Sequence, residues 1–486
     1  MPDTKSLSAP DVKSTSAGAP VSYFHSNTPS ANGLPLSKMQ PGERIAAFVA
    51  QTGRYSLHRA SDTLYRFDGA IWRAISDSAV KSDLADFYMT RGFQPGASVF
   101  ESDARALKIY SSTKQSPEMA EPKAGVIAFA NGVYSIIDGS FSSHCAENWL
   151  RSHNGIDYAA ALPGETLSGS APHFSKWLAH NAGNDEAKAK RILAALYMVL
   201  THRYEWQLYV EVTGKGGSGK SVFMSLCRLL SGEDGSKATT LHALRDSMAL
   251  ETLIDARLIT MSDQPAYSGD CANLKAITGG DSIFINPKYK KGFDAKINAV
   301  VVVANNEPAV FTEHNGGISR RRVLFKFGEP VERPDPEFMA KIKTELPVIV
   351  RHLLKELDDT TAKSLLIQQR DSEESFDAKA EASSIYSFVK HLDPLPAPTG
   401  MRMGGKASSS NAERPREFLY HAYLAFMQYN GYTNPLSVLK FKQAVTALMK
   451  ERGFPFEEKK NSVGVRYNIT LADTADEWLP QASTNN

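Results

Sequence analysis

The period of apolar positions changes several times along the chain, and each change marks an expected element. Residues 64–73 read as a strand, a turn at Asp68-Gly69 and a second strand. Residues 80–88 follow as a helix. Residues 126–136 give a second strand–turn–strand signal around Asn131-Gly132. Between Phe174 and Thr201 the apolar residues recur at helical spacing, among them Trp177, Ile192, Leu193, Leu196 and Leu200. From Trp206 to about Phe327 the pattern alternates strand, loop and helix, and 336–357 is helical. Residues 358–381 are charged and polar and read as a helical bridge. Residues 394–415, rich in Pro, Gly and Ser, read as a flexible linker. Globular patterning resumes with helices at 417–429 and 438–452 and a strand at 464–471. Residues 1–42 are rich in Ser, Ala, Pro and Thr and are expected to be a disordered tail.

This gives five expected segments: the tail at 1–42, a mixed α/β region at 43–190, an α/β core at 191–357, the bridge and linker at 358–415, and a small C-terminal domain at 416–486. A chain of 486 residues accommodates them. Composition adds mainly exclusions. With 55 basic and 53 acidic residues, any attraction to nucleic acid must come from local patches. Cys145, Cys227 and Cys271 form no C-x-x-C pair, so neither a zinc ribbon nor a disulfide framework is expected. No apolar run has membrane-spanning length, so no membrane partner and a cytoplasmic location are expected.

The sharpest chemical signal is Gly214-Lys215-Gly216-Gly217-Ser218-Gly219-Lys220-Ser221. It follows the apolar strand candidate 207–212 and opens the helical run 222–230, which is the context a phosphate loop needs. Glycines let backbone N–H groups approach phosphates without a Cβ in the way, and the new helix turns its positive end to the same anion. Lys220 is expected to reach the outer phosphates of ATP, and the Ser221 hydroxyl to ligate Mg²⁺.

Three later features suit the same chemistry. The apolar run 256–261 ends at Ser262-Asp263, which puts a carboxylate where a metal's water shell and the attacking water need one. Taken alone, Asp263 reads better as a turn residue; its place after the phosphate loop reverses that. The run 298–304 ends at Asn305, an amide suited to orienting water or sensing the γ-phosphate, or simply to ending a strand. Arg320, Arg321 and Arg322 precede a strand at 323–327; such a cluster is either a solvated edge or the source of an arginine finger.

The order of these motifs resembles the superfamily 3 helicases, more narrowly the primase-helicases of phages, plasmids and poxviruses. The resemblance covers about residues 44–471. It implies an AAA+-type P-loop ATPase at 191–357 that assembles as a ring, usually a hexamer, and translocates on DNA. It makes Lys220, Asp263, Asn305, Arg320 and Arg321 catalytic, with Arg321 preferred as the finger, and gives Ser221 and Asp263 to the metal. It further implies that Lys288, Tyr289, Lys290 and Lys291 form a hairpin in a channel holding single-stranded DNA. The C-terminal segment loosely resembles a winged helix, whose basic residues Lys440, Lys442, Lys450, Arg452, Lys459, Lys460 and Arg466 suit contact with duplex DNA. There are departures. Gln264 follows Asp263 where many relatives carry a second acid, and the primase domain of primer-making relatives is not recognisable, so unwinding without primer synthesis is expected. A DNA-binding initiator or assembly switch that does not unwind is the competing reading. A metabolic P-loop kinase fits less well, because Asn305 and the arginines have no role there.

Overall fold

A computed structural model describes residues 34–113, 118–264, 271–288, 291–311, 317–405, 414–462 and 464–480. Two units divide the chain: one comprises residues up to Asp68 together with Arg73–Ala120, the other Gly69–Trp72 and the chain from Glu121 onward. Region 43–190 is thus split, with its second half folding into the larger unit.

The first elements are α1 (Pro41–Thr52), β1 (Tyr55–His58), β2 (Thr63–Phe67), β3 (Trp72–Ile75), α2 (Asp77–Met89) and α3 (Ala97–Tyr110), with the strands in the order β1-β2-β3. Pro41 opens α1, and the Glu43 carboxylate accepts from the Gln40 N–H at 2.8 Å, which fixes the helix start. Ser76 caps α2 through the Ala79 N–H. Ile45, Phe48, Leu57, Leu84 and Leu107 close the core of this unit. Inside it, Asp103 accepts from Arg44 and from the Tyr88 hydroxyl, at 2.6 Å for the latter. The expected tail is shorter than its composition indicates, because Leu36 is already buried; residues 1–33 lie outside the described residues.

The larger unit begins with a meander, β4 (Val126–Phe129), β5 (Gly132–Ser135) and β6 (Phe141–Ser142), followed by α4 (Leu167–Ser170), α5 (Pro172–Ala182) and α6 (Glu186–Leu200). The single helical run in the sequence is two helices because Gly183, at φ +64°, ends α5 in a left-handed cap. Then come β7 (Tyr209–Thr213), α7 (Lys220–Ser231), β8 (Ser236–Ala238), β9 (Leu258–Ser262), α8 (Ala272–Gly279), β10 (Ile283–Ile285), β11 (Phe293–Ala295), β12 (Val300–Asn305), β13 (Arg322–Lys326) and α9 (Phe338–Glu356).

Five of these strands form one sheet in the order β13-β7-β12-β9-β8, and every neighbouring pair is parallel. Burial on both faces explains why β7 and β12 read as continuous apolar runs rather than alternating ones. On one face Ile192, Leu196, Phe223, Ile349 and Leu366 pack against Val210, Val302 and Phe325. On the other, Leu244, Leu253, Leu274 and Ile277 pack against Ile259, Val301 and Val303.

The remaining elements are α10 (Asp359–Arg370), α11 (Glu373–Ala382), α12 (Ser384–Val389), β14 (Leu392–Pro394), α13 (Leu419–Tyr429), α14 (Val438–Glu451), β15 (Glu458–Asn461), β16 (Gly464–Tyr467) and β17 (Ile469–Leu471). Residues 358–381 are not a free-standing bridge. Ala362 and Leu366 of α10 are buried in the sheet's core, and Gln369 donates to the Leu324 carbonyl at 2.8 Å. The expected linker also departs from its composition: β14 pairs antiparallel with β17, and Arg402 bridges to Phe418 and Arg466. Of that linker, 406–413 lies outside the described residues. Phe388, Tyr423, Phe426, Phe441 and Trp478 centre the C-terminal core. No helix among the described residues is long and apolar enough to cross a membrane.

Candidate functional site

Parallel strands end on one side, and ligands of open α/β sheets bind outside those carboxyl ends. Here the register puts the ends side by side: Thr213 of β7 faces Asn305 of β12, and Ala304 faces Ser262 of β9. The phosphate loop, Asn305 and Asp263 therefore share one edge, although they are far apart in sequence.

The loop glycines are required by space as well as by backbone angle. A Cβ on Gly214 would stand 2.9 Å from both the Phe327 carbonyl and Ser218 Oγ. At Gly219, φ +100°, it would stand 2.8 Å from Asn181 Nδ2 and 2.9 Å from Trp177 Nε1. The Trp177 indole donates to the Gly219 carbonyl at 3.3 Å, and Asn181 is held by the Trp177 carbonyl at 2.9 Å. Helix α5 thus braces the loop. Its own N-terminus is fixed by buried Glu345 of α9, which accepts from the His173 and Phe174 N–H groups. In the sequence Trp177 reads only as an apolar helix position, and Asn181 carries no signal.

Helix α7 starts at Lys220 without a side-chain cap, so its first N–H groups face the loop. The Lys220 ammonium is buried and donates to the carbonyls of Gly214 at 2.7 Å and Lys215 at 2.9 Å. Burial lowers its pKa below the ordinary lysine value, and the Asp263 carboxylate opposes that shift. Ser221 is exposed on the first turn. Lys215, by contrast, points away to an exposed ion pair with Glu329.

Asp263 is exposed and adopts φ +48°, with its N–H donating to the Ala304 carbonyl at 2.9 Å. That left-handed turn ends β9. Asn305 is only 3 % exposed. Its Oδ1 accepts from the Gln264 N–H at 2.8 Å, and its Nδ2 donates to Glu211 Oε1 at 3.4 Å. Glu211, on β7, gives no signal in the sequence because it sits inside an apolar run. It also pairs with Arg322, Nε to Oε2 at 2.8 Å.

The arginines lie at the opposite edge. Arg322 faces Tyr209, four residues before Thr213, so at ~3.3 Å per residue the arginine segment is about 13 Å from the loop end of β7. The three arginines do different things. Arg322 is buried against Glu211, Arg321 is 7 % exposed and donates to the Gly317 carbonyl, and Arg320 is exposed. Of the two arginines that the resemblance offers as a finger, the exposed one is Arg320 and not the preferred Arg321. The Arg320 segment is gripped from the C-terminal side. Arg370 donates to the Arg320 carbonyl at 2.9 Å, while Glu451 of α14 accepts from Ser319, from Tyr386 at 3.0 Å and from Lys379 at 2.6 Å.

The lysine segment joins an antiparallel pair, β10 with β11, with Ile285 facing Phe293. Lys288 and Lys291 are exposed in the connection, whereas Tyr289 and Lys290 lie outside the described residues. Phe284, which the sequence does not single out, is 58 % exposed beside them. Of the C-terminal basic residues, Arg452 holds the Val389 and Leu392 carbonyls and Arg466 those of Thr399 and Gly400. Lys442 pairs with Glu458. Lys440, Lys450, Lys459 and Lys460 are exposed.

Two sequence families match parts of the chain: a family of unknown function, DUF5906, over residues 212–322, and the Poxvirus D5 protein-like family over residues 381–480. An uncharacterized mitochondrial protein ymf20 of Marchantia polymorpha is 27% identical over 118 residues, which are 24% of this chain and 68% of that protein. Among solved structures, the phage P4 origin-binding domain is 37% identical, covering 21% of this chain and 99% of that one, with a TM-score of 0.20. The apo NrS-1 C-terminal region is 11% identical over 89% of this chain and 100% of that one, with a TM-score of 0.47. The Poxvirus D5 protein-like match falls on the C-terminal core that holds Phe388 and Trp478.

Proposed function

We propose that the chain is an ATP-driven DNA helicase of the superfamily 3, AAA+ type, working as a ring in the replication of a phage, plasmid or related element. The observation that carries this reading is the placement of two sets of motif residues at opposite ends of the strands of one sheet. Gly214–Ser221, Asp263 and Asn305 share the carboxyl edge, and exposed Arg320 stands at the other. Arg320 precedes Arg322, which is itself about 13 Å along the strand from the loop end, so Arg320 serves a neighbouring copy's ATP rather than its own. A closed, head-to-tail ring uses each copy's two edges once, and a hexamer is the size the resemblance implies.

Within one copy, the loop N–H groups and Lys220 hold the ATP phosphates, Asp263 receives the proton of the attacking water, and Asn305 orients that water. Ser221 and Asp263 offer two exposed hard oxygen donors at the loop, the number Mg²⁺ takes from a protein when phosphates and water complete its shell. Bound there, Mg²⁺ would neutralise phosphate charge. Lys288 and Lys291, with Phe284, suit tracking of single-stranded DNA by charge and stacking. The α13–α14 helices and the β15–β16 hairpin fit a winged-helix-like module, and exposed Lys440, Lys450, Lys459 and Lys460 suit duplex contact.

The test is strand displacement of a tailed duplex with ATP and Mg²⁺. The chain unwinds it, and a Lys220→Ala variant does not. DNA-stimulated hydrolysis without displacement would instead establish the initiator or switch reading.

A further inference from the structure

ATP binding and hydrolysis as proposed leave unused a buried charged pair that lies within the sheet itself, Glu211 with Arg322. Glu211 is 0% exposed and Arg322 6%. They sit among buried apolar neighbours on their strands: Tyr209, Val210 and Val212 on β7, and Val323, Leu324 and Phe325 on β13. A buried ion pair in such a place is seldom more stabilising than a well-packed apolar pair of the same volume. Arg322 Nη2 has no hydrogen-bond partner among the described residues, and the guanidinium lies 5.3 Å from the centre of the Phe311 ring.

Its connections are more informative. Glu211 Oε2 accepts from Arg322 Nε at 2.8 Å. Its Oε1 accepts from the Ala309 N–H at 2.8 Å and from Asn305 Nδ2 at 3.4 Å. Asn305 Oδ1 in turn accepts from the Gln264 N–H at 2.8 Å, and Gln264 adjoins Asp263. An unbroken polar line thus runs through the sheet, from the arginine segment at one edge to the acid and amide at the other.

We propose that Glu211 and Arg322 are positioning residues that couple two nucleotide sites through one chain: the neighbour's, which Arg320 meets, and the chain's own, beside Asn305 and Asp263. The inference rests on the ring reading. Arg322 follows Arg320 and Arg321 directly, so engagement of a neighbour's phosphate by Arg320 draws on Arg322. Glu211 passes that displacement to the Asn305 amide and so to the water it orients. A charged pair transmits such a shift because both partners are directional hydrogen-bonding groups held out of water. Coupling of this kind needs an element whose arrangement both sites bias, and this line is the candidate.

The experiment measures ATP hydrolysis against ATP concentration for the full chain, together with its oligomeric state and its affinity for a non-hydrolysable ATP analogue. Two variants are compared. Glu211→Gln keeps the shape and removes the charge. Glu211→Leu with Arg322→Met removes both charges and keeps the volume, which is the change a purely structural pair tolerates. Wild type is expected to hydrolyse ATP cooperatively. The variants are expected to keep the oligomer and to bind the analogue within about threefold of wild type, while the Hill coefficient falls to about 1. Either variant suffices if the other fails to fold. A cooperative oligomeric wild type with an equally cooperative double variant overturns the coupling and leaves the ring reading intact. A monomeric, non-cooperative wild type overturns both.

Discussion

Lys220 closes the phosphate loop on itself: its ammonium donates to the Gly214 carbonyl at 2.7 Å, six residues back, and to the Lys215 carbonyl at 2.9 Å. On the proposed reading, a bound polyphosphate would take the place of these carbonyls. Lys220→Ala is expected to lower ATP hydrolysis by about 10²- to 10³-fold, the scale of losing one preorganised charge donor, as measured by phosphate release. The pH dependence has a definite sign. Burial sets Lys220 below its ordinary value of 10.5 in the free protein. The charged form binds phosphate, so ATP affinity holds below that lowered pKa and falls as pH rises through it. Titrating affinity toward alkaline pH checks this; a decline beginning only above 10.5 would contradict it.

Brace and loop make a second prediction. Gly219→Ala drives a Cβ to 2.8 Å from Asn181 Nδ2 at a φ of +100°. Such strain costs about 1–3 kcal/mol, which lowers the melting temperature by several degrees and weakens nucleotide binding. Gly216→Ala is the control, since its Cβ meets nothing within 4 Å. Calorimetry with and without ATP analogue separates the two; equal melting temperatures for both variants would remove the bracing role of α5.

The hairpin gives a third. Removing both Lys288 and Lys291 is expected to weaken single-stranded DNA binding and to flatten the log affinity–log salt slope by about 1.4, near 0.7 for each phosphate no longer neutralised. ATP analogue affinity is expected to stay unchanged. An unaltered salt slope would mean that these ammonium groups do not meet phosphates.

Much of the site was legible because its chemistry sits at strand ends, where a polar residue interrupts an apolar run. Gly214–Ser221, Asp263 and Asn305 all announce themselves this way. Glu211 did not, because a carboxylate within an apolar run has meaning only through its partner, and Arg322 is 111 residues away. Exposure was equally invisible: Arg320 and Arg321 are adjacent and identical in type, and only the fold turns one outward and the other toward Gly317. In the bridge, charge masked Ala362 and Leu366, whose spacing by four residues lays them on one face against the sheet. Composition misled again at 394–405, where the Pro- and Gly-rich stretch is held by pairing of Pro394 with Ile469 and by backbone bonds from Leu395, Gly400 and Met401 to residues 467–469.

Completion of each site by a neighbouring copy can be tested by mixing two inactive variants. Lys220→Ala lacks a working loop but keeps Arg320; Arg320→Ala has the reverse. Combined in equal amounts before assembly, they place an intact loop against an intact arginine at about a quarter of the interfaces of a randomly mixed ring. With a shared site, ATP hydrolysis by the mixture recovers to that order, while each variant alone stays inactive. A mixture as inactive as its components, with assembly intact, would contradict it.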